Sequence, residues 1–172
     1  MMIRLQGRAR ILADAVNTDY IISSSRKRQI EDMDELKEYV FEDLPDLSGG
    51  AIQSGDVIVA GFDFGCGSAM EIAVDILMKS GIQCILAKSV ARTYYRNATN
   101  AGLPIVIWET GCVREGDELT IKYGKKPTVN NESKNCMLEC KPVPNFVTQV
   151  VRAGGLIEYK RKCGMPARGA LE

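Results

Sequence analysis

The chain has 172 residues, 45% hydrophobic and 26% charged, the mix of one globular domain with a full core. Its 22 basic residues balance 22 acidic ones, so net charge draws it neither to nucleic acid nor to an anionic membrane. No apolar run approaches the roughly 20 residues of a membrane span. Met1 to Gln6 lack the basic-then-apolar order of a signal peptide, so the expected location is the cytoplasm.

In chain order, Ile3 to Leu12 alternates and predicts a strand. Asp14 to Asp19 reads as a polar loop, Tyr20 to Ile22 as a short apolar piece, and Ser23 to Arg28 as a serine-then-basic stretch outside the core. Met33 to Phe41 has helical spacing, with Asp32 as N-cap and Glu35 as its capping-box partner. Pro45 to Gly55 is a loop rich in Gly, Ser and Pro.

The pattern then sharpens. Val57 to Gly61 is a continuous apolar run, as in a strand buried on both faces. Phe62 to Gly67 is a glycine-bearing turn, and a helix is expected from Ser68, with Ala69, Ile72, Ala73, Ile76 and Leu77 on one stripe and Gly81 at its end. Ile82 to Ala87 predicts a second buried strand, Ser89 to Ala101 a second helix closed by Gly102 and Pro104, and Leu103 to Trp108 a third strand. This succession predicts an α/β core with parallel strands.

The last third differs. Leu119 to Tyr123 and Cys136 to Cys140 read as strands joined by a turn over Gly124 to Lys134. Asn145 is the expected N-cap of a helix over Phe146 to Arg152, stopped by Gly154-Gly155, with a short closing element at Leu156 to Lys160. The expectation is a single domain over 1–172, its core spanning about 3–160 and residues 161–172 forming a tail.

Six cysteines scattered over a chain of this size fit reduced thiols better than a disulfide framework. Cys136 and Cys140 are the one close pair, and on a strand they stand too far apart for easy chelation; packing is the reading preferred for them and for Cys66. There is no histidine. That removes the Ser-His-Asp triad, the Cys-His dyad and the H-E-x-x-H zinc site, so another group, or a partner chain, must move any proton.

Three stretches carry candidate chemistry. Gly61-Phe62-Asp63-Phe64-Gly65-Cys66-Gly67-Ser68-Ala69-Met70-Glu71 runs from a buried strand through a Gly-x-Gly turn into a helix. Free N–H groups at such a place suit a carboxylate or phosphate, and Ser68 would cap the helix and face the ligand. The turn is equally readable as a tight turn with a capping serine; it is neither a P-loop nor a complete dinucleotide fingerprint. Ser24-Ser25-Arg26-Lys27-Arg28 suits recognition of a di- or tricarboxylate, or is a solvated basic loop. Lys88 to Asn97 opens the second helix, with Arg92 and Arg96 on one face and Arg96 and Asn97 either at a site or supporting the fold.

Taken together, Asn17-Thr18-Asp19, Val59-Ala60-Gly61-x-x-Phe64-Gly65-Cys66-Gly67-Ser68, Ala87-Lys88-Ser89-x-Ala91-Arg92-x-x-Tyr95-Arg96-Asn97 and Gly102-Leu103-Pro104 resemble, in order and spacing, the small subunits of 3-isopropylmalate dehydratase and homoaconitase, of the aconitase superfamily. The resemblance covers about residues 5 to 160. It implies an α/β fold, the swivelling β/β/α domain equivalent to the mobile C-terminal domain of aconitase. It implies a hydro-lyase of leucine biosynthesis that dehydrates and isomerises a hydroxy-dicarboxylic acid as part of a two-subunit heteromer. This chain would carry no cofactor of its own. A large subunit would hold a [4Fe–4S] cluster through its own three cysteines and use its free iron as a Lewis acid. By the same resemblance Ser68 is the catalytic base and Asp19 an acidic residue of the active site. Arg26 and Arg28 lie in the segment that selects the substrate, and Gly67, Ala69 and Met70 line it.

The sequence departs from that pattern where the family continues Ser-Ser-Arg-Glu: here Ser68-Ala69-Met70-Glu71 lacks the second serine and the arginine. Losing a desolvated arginine–carboxylate pair costs on the order of 2–5 kcal/mol unless it is replaced. Ser23 to Ser25 also replaces a Pro-containing stretch, and the Tyr-Leu pair that follows it in the family is absent. The alternatives are therefore a homoaconitase, a dehydratase of 2,3-dimethylmalate or 2-methylmalate with Met70 in the pocket, a supply of the missing cation from Arg26 to Arg28, or a non-catalytic relative that keeps the fold as a binding module.

Overall fold

A computed structural model describes residues 2–44, 52–108 and 113–163. The alternating first segment forms β1 (Ile3–Ile11), and the apolar runs form the predicted parallel strands β2 (Val57–Ala60), β3 (Cys84–Ala87) and β4 (Ile105–Ile107), which β1 joins parallel to β2. β2 and β3 are buried at every residue, as their unbroken apolar sequences require. The register aligns Ile11 with Val59, Val59 with Leu86, and Leu86 with Val106, so the carboxyl ends of all four strands lie at one edge.

Three antiparallel strands, β5 (Glu118–Tyr123), β6 (Thr128–Asn131) and β7 (Cys136–Glu139), extend the sheet to the order β4-β3-β2-β1-β5-β6-β7. The Lys141 N–H donates to Ile107 O at 2.9 Å. The chain leaving one edge strand thus binds the other, and the sheet curls back on itself.

Curling creates two cores. On one face, Ile58, Ala60, Ile85, Ala87 and Ile105 pack against α4 (Ile72–Lys79) and α5 (Arg92–Ala101). On the other, Val57, Val59, Cys84, Leu86 and Val106 meet Leu119, Ile121, Tyr123 and Val129 from the curled strands and Val151 from α6 (Asn145–Ala153). The last helix, α7 (Leu156–Cys163), packs on α5 and α6.

Several expectations change. The turn expected over Gly124 to Lys134 contains β6, whose inward positions are Val129 and Asn131. The stretches expected as loops hold two short helices, α1 (Thr18–Ile21) and α2 (Ser24–Gln29), capped by the side chains of Asn17 and Ser23. The helix expected over Met33 to Phe41 is α3 (Met33–Leu36) followed by a 3₁₀ turn, and Asp32 caps it through the Asp34 N–H. α6 begins at Asn145 after Pro144, which makes no side-chain cap, so Asn145 is its first residue rather than its cap. Helix continues into the expected tail as far as Cys163; residues 164–172, and 45–51 of the expected loop, lie outside the described residues.

Candidate functional site

The site begins where the parallel strands end. The loops after β1, β2 and β3 meet at the carboxyl edge of the sheet, the position at which α/β sheets gather ligand-binding residues. The loop after β2 is pinned along its length. The Phe62 N–H donates to Asp14 Oδ1 at 2.7 Å, the Asp63 N–H to Ser89 Oγ at 2.8 Å, and the Gly65 N–H to Val16 O at 2.8 Å. Phe64 is fully buried, with its ring edge-on to Tyr94 of α5 at 5.3 Å. A Cβ on Gly65 would strike that Tyr94 ring, which explains the first glycine. Gly67 has φ +92°, and a Cβ there would strike the Asn17 side chain, which explains the second.

Asn17 to Asp19 lies directly against this loop. Asn17 and Cys66 form a parallel bridge, the Thr18 N–H donates to Cys66 O at 2.9 Å, and the Thr18 hydroxyl donates to Ser68 O at 3.0 Å. These contacts leave Ser68 exposed, its hydroxyl without a hydrogen-bond partner among the described residues. The N–H groups of Gly67, Ser68 and Ala69 likewise make no hydrogen bond among the described residues. Successive free amides of this kind make a concavity for an anion.

Ser68 does not cap the helix. α4 starts four residues later, at Ile72, and Ser68 O instead accepts from the Met70 N–H and the Thr18 hydroxyl. The tertiary contact with Thr18 overrides the local capping preference. The Ser68 side chain is thereby free of the backbone, which suits a reacting group better than a cap does.

The other sequence-derived residues divide. Asp19, half-buried in the first turn of α1, accepts a hydrogen bond from Ser24 Oγ at 2.7 Å on its Oδ1. Gly67 and Ala69 are exposed beside Ser68. Met70 is 9% exposed, belongs to the first core and places its sulfur 3.9 Å from Ser24 Oγ, so it backs the site rather than lining its opening. Arg26 is taken up elsewhere: its Nε and Nη2 donate to Glu42 at 2.8 and 2.9 Å, and its guanidinium lies 4.0 Å over the Tyr39 ring. Arg28 is exposed and makes no ion pair among the described residues. It stands four residues after Ser24 in α2, hence on the same face as the serine that touches Asp19.

Arg92 and Arg96 are exposed, and Asn97 joins Glu71, Asp75 and Asn100 in a separate cleft between α4, α5 and α7. Thr18, Ser24 and Ser89 stand inside the stretches singled out from the sequence, but the sequence alone assigns none of them a role of its own. The first precedes Asp19 directly and the second follows it by five residues, but only the fold shows that one grips the Ser68 loop and the other the Asp19 carboxylate.

No three His, Cys, Asp or Glu side chains converge as metal ligands among the described residues. Cys66 donates its S–H to Ala15 O at 3.4 Å, and burial, with Cys140 adding to it, pushes the Cys84 thiol far above its ordinary value.

The model of the aconitase C-terminal domain matches residues 11–110. A protein named 3-isopropylmalate dehydratase small subunit 2, from Archaeoglobus fulgidus, is 37% identical over 94% of this chain and 97% of its own length. A 3-isopropylmalate dehydratase small subunit from Caldicellulosiruptor saccharolyticus is 39% identical over 90% of this chain and 89% of its own. The crystal structure of 3-isopropylmalate dehydratase from Methanocaldococcus jannaschii superposes with a TM-score of 0.84 at 35% identity, covering 93% of this chain and 95% of that one.

Proposed function

The chain belongs to the aconitase C-terminal domain family, and from that membership we propose that it is the small subunit of a 3-isopropylmalate dehydratase, a hydro-lyase acting together with a larger iron–sulfur subunit. One observation carries the catalytic part of the reading. A chain without histidine presents an unpartnered serine hydroxyl, flanked by free backbone amides, on a loop pinned against Asn17 to Asp19.

Ser68 is the base that takes the proton from the carbon next to the substrate carboxylate, while hydroxide leaves the neighbouring carbon and a double bond forms between them. Re-addition of water in the isomeric position reverses these steps. The N–H groups of Gly67 and Ala69 stand beside Ser68 and favour the negative charge that its oxygen carries as a base. The [4Fe–4S] cluster belongs to the partner subunit, where it supplies Lewis-acid polarisation of the substrate. Asp19, on the segment packed directly against the Ser68 loop, contacts the substrate beside that loop.

Arg28 supplies the cation that Ala69-Met70 leaves out. Arg26 is committed to Glu42 and Tyr39, and its work is to hold α2 in place. The names of the relatives do not favour a homoaconitase, a dehydratase of the methylated malates, or a non-catalytic module. No described helix is long and apolar enough to cross a membrane.

The test is to co-express the chain with its iron–sulfur subunit, reconstitute the cluster without oxygen and assay a panel of malates, with Ser68→Ala as control. Turnover of isopropylmalate that falls by about 10³-fold or more in Ser68→Ala is the expected result. Turnover of a methylated malate alone would move the substrate, and a loaded, stable but inactive wild-type complex would end the catalytic reading.

A further inference from the structure

The three serines of the Ser23 to Ser25 run have three different partners. Ser23 Oγ accepts from the Arg26 N–H at 3.3 Å and caps α2. Ser25 is exposed, its Oγ 3.1 Å from that of Ser23. Ser24 alone turns toward the site. Its hydroxyl donates to Asp19 Oδ1 at 2.7 Å, and this is the only hydrogen bond that the Asp19 carboxylate makes among the described residues.

The backbone makes this contact possible over a separation of five residues. α1 ends at Ile21; Ile22 and Ser23 are both extended, and α2 starts at Ser24. Two extended residues fold the first residue of α2 back onto the first turn of α1. Ile21 and Ile22 are both buried, which fixes that reversal in the core. From the other side, Met70 Sδ lies 3.9 Å from Ser24 Oγ, and Met70 follows Ser68 by two residues. Ser24 therefore stands where three parts of the site meet: Asp19, the Ser68 loop, and the helix that carries Arg28.

We propose that Ser24 is a positioning residue for Asp19: its donated bond occupies Oδ1 and presents Oδ2 to the substrate. The proposal rests on the reading of this chain as a hydro-lyase subunit. A half-buried carboxylate with one hydrogen bond, on a four-residue helix, would without that bond rotate between several orientations, and a displacement of about 1 Å in a reacting group can lower a rate by about 10²-fold. Ser24 touches no reacting atom; it acts through Asp19 alone.

Two readouts test this. In the complex reconstituted with the iron–sulfur subunit, Ser24→Ala lowers kcat for isopropylmalate by about 10- to 100-fold with KM held within about twofold, and Ser24→Thr, which keeps the hydroxyl, restores kcat to within about threefold. In the isolated chain at pH 8, the carboxylate ¹³C resonance of Asp19, assigned by its loss in Asp19→Asn, moves in Ser24→Ala and returns in Ser24→Thr. An unmoved resonance, or wild-type kcat in Ser24→Ala, overturns the proposal. So does equal loss of kcat in the Ala and Thr variants, which would reduce Ser24 to packing. A complex that turns over no malate while the resonance moves as stated overturns the hydro-lyase reading and supports the Ser24–Asp19 contact.

Discussion

The hydroxyl of Thr18 donates to the carbonyl of Ser68 at 3.0 Å, and the N–H of the same threonine donates to the carbonyl of Cys66 at 2.9 Å. One fully buried residue thus holds the backbone on both sides of Gly67. With those carbonyls gripped, the amides of Gly67 to Ala69 remain available for a ligand. Thr18→Val keeps the shape and deletes the hydroxyl. It should destabilise the chain by about 1–2 kcal/mol in urea denaturation, as a lost buried hydrogen bond does, and lower kcat by about tenfold through a looser Ser68. Unchanged kcat at reduced stability would confine Thr18 to folding.

Gly67→Ala tests the same loop from the other side. The backbone at φ +92° disfavours any side chain, and the new methyl meets Asn17. Strain of this kind is worth on the order of 1–3 kcal/mol, and the loop relieves it by moving away from Asn17. The variant should keep its circular dichroism spectrum and lose at least about 10²-fold in kcat. A crystal structure with Ser68 unmoved would contradict the account.

Two carboxylates should give stability changes of opposite sign with pH. Partial desolvation at the cleft between α4, α5 and α7, where Asp75 remains exposed to solvent, and then Glu71 one turn earlier, raise the Asp75 carboxyl above its ordinary value. Its contribution to stability is present below the unfolded-state pKa and is lost as pH rises through the raised folded value. Asp75→Asn should therefore raise the melting temperature at pH 7 and leave it unchanged near pH 3. For Asp117, burial pushes upward but is outweighed by Lys134 at 2.8 Å, the Arg114 N–H at 2.8 Å and the Asn131 amide at 2.7 Å, so the carboxyl sits below its ordinary value. That contribution is present above the unfolded pKa and is lost as pH falls through the depressed one. Asp117→Asn should lower the melting temperature at pH 7, with the difference closing in acid. Thermal melts of both variants from pH 3 to 8 decide the signs.

What could be read in the sequence depended on where burial was written in apolar side chains. β2 and β3 are unbroken apolar runs and were plain. β6 was not, because one of its two inward residues is Asn131, fully buried and satisfied by Asp117 instead of by apolar neighbours. α2 has no buried residue, so it left no periodicity to find; its cap at Ser23 holds it, and Arg26 ties it to Glu42. The motif around Ser68 marked the candidate site, but its helix start was misplaced by four residues because Thr18, fifty positions earlier, takes the Ser68 carbonyl. The inward turn of Met70 and the capture of Arg26 by Glu42 are likewise long-range facts that a linear pattern does not hold.

Arg26 and Arg28 are two residues apart on one short helix, and the structure gives them different surroundings. Arg26 makes two hydrogen bonds to Glu42 and stacks on Tyr39, which joins α2 to the segment after α3. Arg28 shares the Ser24 face and has no ion-pair partner among the described residues. If Arg28 replaces the arginine missing at Met70, then Arg28→Met removes a charge-assisted contact to a substrate carboxylate. KM for isopropylmalate should rise about 10- to 100-fold, with kcat within about threefold, because the contact exists in ground and transition states alike. Arg26→Met should instead lower the melting temperature and leave KM within about twofold. The two variants assayed side by side in the reconstituted complex separate the roles. A rise in KM that follows Arg26 and spares Arg28 would reverse the assignment, and it would mean that the Glu42 pair opens when substrate arrives.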